Sequence, residues 1–77
     1  MKNITNEELY SILNKHKMWL LNDPEGERAE LRGTDLTGAD LSGTDLTGAD
    51  QTGADQTGAD QTGANQTGAD QTGANLK

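Results

Sequence analysis

An all-β solenoid entered through an N-terminal α-helix is the fold class that this sequence predicts. Nine of the ten glycines, Gly33, Gly38, Gly43, Gly48, Gly53, Gly58, Gly63, Gly68 and Gly73, fall five residues apart without a miss. The apolar residues ahead of them recur at helical spacing instead. The chain has 77 residues, 30% of them hydrophobic, with no cysteine and a net charge of −7. That composition alone fits a disordered acidic chain. The strict short period marks a solenoid or a low-complexity array, and a step of five rather than three excludes collagen.

The helix comes first. Thr5 and Glu8 have capping-box spacing, with Asn6 as a competing N-cap. Glu7 and Glu8 lie where a helix N-terminus favours negative charge, and Lys15 and Lys17 lie toward the opposite end. Leu9, Ile12, Leu13, His16, Trp19 and Leu20 make one apolar stripe. Asn22, Asp23 and Pro24 end it, because proline disfavours the helical conformation of the residue before it. Gly26 is expected to supply the following turn. The spacing predicts a helix from about Asn6 to Leu21 and a loop to Arg28. Residues 1–28 thus form a cap on a solenoid of residues 29–77, both parts of one domain.

The periodic part opens with Ala29-Glu30-Leu31-Arg32-Gly33 and runs through ten units, the last cut to Ala74-Asn75-Leu76-Lys77. A flat strand alternates faces with period two, so a five-residue repeat would send Leu31 and Leu36 to opposite sides. They share a side only if every unit also bends, and glycine beside Thr, Ser or Arg supplies the bend. The chain then points Ala or Thr and the central residue inward, and Asp outward.

These units resemble the pentapeptide repeat proteins, whose unit reads A-[D/N]-L-x-x. The segment His16, Trp19, Leu20, Gly26, Arg28, Ala29 and Leu31 also resembles the helical cap that precedes such repeats in many bacterial and phage sequences. The resemblance implies a right-handed quadrilateral β-helix of about two and a half coils, four units to a coil. It places Leu31, Leu36, Leu41, Leu46, Gln51, Gln56, Gln61, Gln66, Gln71 and Leu76 on the axis. Leu13, His16, Trp19 and Leu20 would form the cap, with Trp19 packed on the leucine layer.

The glutamines depart from the family pattern. A buried leucine contributes roughly 1.5–3 kcal/mol, whereas an unpartnered amide costs roughly 2–7 kcal/mol. Three outcomes are open: an ordered, internally bonded glutamine layer, a second coil that frays, or disorder beyond about Gly48.

The remaining patterns bear on function. Asp35, Asp40, Asp45, Asp50, Asp55, Asp60 and Asp70 share one outward slot. Their density along a coil is comparable to the one charge per ~1.7 Å of duplex DNA. The resemblance implies a topoisomerase-binding DNA mimic as one reading, since some family members protect DNA gyrase that way. Roughly 12 Å of rod is short for it, and a solvated surface is the plainer reading. Stacked carboxylates repel by under about 1 kcal/mol per pair, so acid is expected to stabilise the coil slightly. The acidic balance argues against direct nucleic-acid binding. Convergent calcium ligands are not expected, and the threonine columns, which suggest ice binding, are read as polar filler.

His16 has no nucleophile or carboxylate at a recognisable spacing, so neither an enzyme nor a cofactor or metal site is expected. No apolar run is long enough to span a membrane, and the first ten residues lack the apolar core of a signal peptide. The expectation is a non-enzymatic structural or interaction module with a protein partner. Its place would be the cytoplasm of a bacterial or phage-infected cell. A third reading is end-to-end assembly, with the C-terminal coil edge pairing a second copy as a homodimer.

Overall fold

The computed structural model describes residues 2–76. Strand β1 (Lys2–Asn3) leads into helix α1 (Asn6–Leu20), and strand β2 (Thr34–Asp35) opens the coiled part. The Thr5 side chain accepts the Glu8 N–H while the Glu8 carboxylate accepts the Thr5 N–H, so the capping box is complete. At the other end Asn22 takes a left-handed conformation with φ 60°. Its N–H donates to Trp19 O and the Asp23 N–H to Met18 O. This paired closure satisfies the last carbonyls ahead of Pro24. Gly26 is needed for a different reason from the turn expected of it. A Cβ there would stand 2.2 Å from the Trp19 backbone nitrogen, so only glycine lets the loop lie against the helix.

From Glu30 onward every unit repeats one geometry. The central residue's carbonyl accepts the N–H three residues on, as in Leu36 O with Ala39 N–H at 2.9 Å. The glycine between them has φ of 60–75° in all nine units. A positive φ at the third position is the type II signature that favours glycine. The extended piece of each unit pairs in parallel with a piece twenty residues on: Glu30 with Asp50, Asp35 with Asp55, Asp40 with Asp60, Asp45 with Asn65, Asp50 with Asp70, and Asp55 with Asn75. Each unit therefore lies over the unit four earlier, and the array is a β-solenoid.

The expected cap of helix and loop contained no strand, yet β1 pairs in parallel with β2, Lys2 beside Thr34 and Asn3 beside Asp35. One face of the first layer is thereby extended by the chain's own start. The core consists of Leu9, Ala29, Leu31, Leu36, Leu41, Leu46, Ala49 and Ala54, all at most 2% exposed. Ile4, Ile12, Leu13, Ala39 and Ala59 pack against it. Inward Thr34 and Thr44 satisfy their hydroxyls by donating to the Leu31 and Leu41 carbonyls at 2.7 Å.

Two side chains expected on the inside lie elsewhere. Leu76 is 51% exposed, because no unit among the described residues stacks over it. Trp19 is 39% exposed: its ring covers the Gly48 corner and stacks on His16 with centroids 5.3 Å apart. The apolar plug of the first coil is Leu9, toward the other end of the same helical stripe. Leu9→Ala is therefore expected to cost about 2–5 kcal/mol, and Trp19→Ala less than Leu9→Ala. Urea denaturation of the two variants reads the order directly, and the reverse order would return the plug to Trp19.

Candidate functional site

The most reactive group in the sequence is the lone histidine, and the fold uses both of its nitrogens. The helical stripe brings His16 under the first coil, where it is fully buried. The Ala29 N–H donates to Nδ1 at 2.9 Å. Nε2 therefore carries the proton and donates to Thr47 O, also at 2.9 Å. One side chain so ties α1 to the first and fourth units. Of the other expected cap residues, Leu13 packs against the core, Leu20 is half-buried, and Trp19 covers His16 from outside.

The central column divides sharply. Leu31, Leu36, Leu41 and Leu46 are buried, as are Gln51 and Gln56, while Gln61, Gln66 and Gln71 are half-buried. The glutamines join head to tail. Gln71 Nε2 donates to Gln66 Oε1, Gln66 to Gln61, Gln61 to Gln56, and Gln56 to Gln51. Gln71 Nε2 also reaches Gln51 Oε1 below it at 3.5 Å. Each amide donates to the unit before, so the chain of bonds runs one way round the coil. Its head, Gln51 Nε2, is buried without a partner. The acceptor it would need stands where Leu46 does.

The aspartates are spread over separate columns rather than gathered. Glu30, Asp50 and Asp70 form one; Asp35, Asp55 and Asn75 another; Asp40 stacks with Asp60, and Asp45 with Asn65. Each closes a turn. The Oδ1 of Asp35, Asp40, Asp45, Asp50, Asp55, Asp60 and Asp70 accepts the backbone N–H two residues on at 3.0–3.1 Å. Ser42, Thr47, Thr52, Thr57 and Thr72 add a hydroxyl donor to the same oxygen. Asn65 serves Thr67 identically. The outward threonine hydroxyls are thus committed to the turns. The D-x-T spacing carries this Asx-turn signal, which the reading of these carboxylates as solvated charge passed over. Arg32 lies 3.7 Å from Asp50, and Arg28 donates its Nε hydrogen to Gly48 O.

These bonds reverse the expected pH response. For Asp35, Asp40, Asp45, Asp50 and Asp70 the Thr or Ser hydroxyl, then the backbone N–H, holds the carboxyl below its usual range. For Asp60 the Thr62 backbone N–H leads. Repulsion from Asp70 on Asp50, and from Asp40 on Asp60, acts upward but is the smallest influence on each. A carboxylate whose pKa is lowered by folding stabilises the fold fully above its unfolded pKa, and that stabilisation is lost as pH falls through the folded one. Acid therefore destabilises the coil, because hydrogen bonding outweighs the repulsion between stacked charges. The melting temperature at pH 3 is expected below that at pH 7, the loss setting in below about pH 4; a higher value at pH 3 would restore repulsion as the dominant effect.

The glutamine chain has its own test. Gln51→Leu and Gln56→Leu replace equally buried residues, so their apolar gains match. The first removes the orphaned head and passes it to Gln56; the second leaves that head in place and orphans Gln61 as well. Gln56→Leu is expected to be less stable than Gln51→Leu by about 1–3 kcal/mol in urea. Equal stabilities would mean that the amides do not act as a chain.

Among the described residues no cluster of His, Cys, Asp or Glu has the makings of a metal site, and no helix is long and apolar enough to cross a membrane. The family model described as pentapeptide repeats (8 copies) matches residues 27–50, and no curated protein matches the chain. Over residues 27–50 the five-residue unit, with glycine at its corner, an inward residue at its centre and a partner twenty residues on, is that of the pentapeptide repeats.

Proposed function

We propose that the chain is a non-enzymatic structural or interaction module that presents its outer face to a protein partner. The fold of that module would be a right-handed quadrilateral β-helix of about two and a half coils, a reading supported by the twenty-residue register. One observation carries the functional reading: both nitrogens of the lone histidine are bonded to backbone groups, so the imidazole has no free nitrogen to act as a general base. A panel of activated esters and phosphate esters is expected to show no turnover above buffer. Turnover that disappears in His16→Gln would overturn the reading.

The second reading, an acidic binder of a DNA-handling protein such as a type II topoisomerase, draws on a specific feature. Asp40 stacks with Asp60, and Asp50 with Asp70, with all four carboxyls held toward the ionised form by hydrogen bonds. Vertical rows of fixed charge have the character of a phosphate backbone. A gyrase supercoiling assay separates the two readings: inhibition at micromolar protein favours the mimic, and no effect at high micromolar protein removes it.

A further inference from the structure

Between α1 and one wall of the coil lies a groove of about 560 Å³. Tyr10, Leu13, Leu20 and Leu21 line the helix side, and Asp40 and Asp45 the coil side. Tyr10 is 55% and Leu21 72% exposed. A chain this poor in apolar residues thus exposes two large ones along one groove, about three helical turns apart. The opposite wall is anionic by construction. The Oδ1 of Asp40 and of Asp45 is occupied by the turn that each closes, and those same bonds keep both carboxyls ionised. Lys17 on the lining offsets only one of the two charges.

We propose that this groove receives a short peptide segment of a protein partner in which a Lys or Arg stands between two bulky apolar residues. The cationic head meets the Asp40 and Asp45 wall, and the apolar residues on either side of it cover Tyr10 at one end and Leu21 at the other. The groove falls within the roughly 300–1,000 Å³ of ordinary ligand sites, and the net charge of −7 draws a basic segment toward it. This rests on the reading of the chain as an interaction module and gives that module a face and a partner chemistry.

The test is NMR titration of the ¹⁵N-labelled full chain with the tripeptide amide Phe-Arg-Leu, with Phe-Glu-Leu amide as its acidic counterpart. Shifts are expected for the amides of Lys17, Leu21, Ser42, Thr44 and Asp45 with the arginine peptide alone. Asp40→Asn with Asp45→Asn together remove the charge and keep the turns, since Asn65 closes the same turn in the native chain. This double variant is expected to bind at least about tenfold more weakly, as is the surface variant Leu21→Ser. No shifts, shifts outside the groove, or equal shifts with the glutamate peptide would overturn the proposal. So would groove shifts produced by raising the protein concentration without peptide, which would make a second copy the occupant. A partner protein that binds the native chain and the double variant equally would overturn the groove while leaving the interaction module standing.

Discussion

The N–H of each central residue from Leu31 to Gln56 donates to a carbonyl nineteen residues on, Leu31 to Asp50 at 2.7 Å, Leu36 to Asp55 at 2.8 Å and Leu41 to Asp60 at 2.7 Å. The return bonds run from Asp50 N–H to Ala29 O and from Asp55 N–H to Thr34 O. Without this register nothing else in the molecule has a place. It puts leucines in one layer and glutamines in the next, lays the aspartates in columns, and fixes which wall faces the helix. The left-handed glycine makes it possible, since a chain of L residues turns that corner only under strain.

Within that frame the two layers are held by different forces. The lower layer is four leucines closed from below by Leu9, an apolar core of ordinary kind at small scale. The upper layer replaces transfer energy with a circuit of amides. A buried polar network is stable only when its members are satisfied. Here every link is made except at the boundary, where Gln51 meets Leu46. The cost of changing from one kind of core to the other is thus concentrated on a single nitrogen.

The cap and the surface obey the same economy. His16 offers one acceptor and one donor, and spends them on Ala29 and Thr47, so the helix is locked to the coil at two points. Each aspartate offers two oxygens and commits one of them to its turn. Surface charge and backbone geometry are therefore one feature, and at Asp35, Asp40, Asp45, Asp50, Asp60 and Asp70 the turn bonds favour the ionised carboxylate. Recognition by such a surface rests on the remaining oxygens and on the apolar residues beside them.

The five-residue glycine spacing, the capping box at Thr5 and Glu8, and the change of central residue from Leu to Gln were all legible in the sequence, because each is a local pattern with a local cause. The Asx turns were legible too, since Asp and Thr two apart carry the signal within one unit. The strand at Lys2–Asn3 was not, because its partner Thr34 lies thirty-two residues away and nothing in Lys-Asn itself favours pairing. Nor was the choice of Leu9 over Trp19 as the plug, for both lie on the same apolar stripe. The rotation of the helix over the coil selects between them, and it is set by His16 reaching Thr47 across thirty-one residues. The sequence by itself determined the unit, its corner and its inward residue. Only the tertiary structure decided what closes the first coil, where the amide circuit ends and which wall is left open beside the helix, because those depend on contacts between residues that are neighbours only after the chain has coiled.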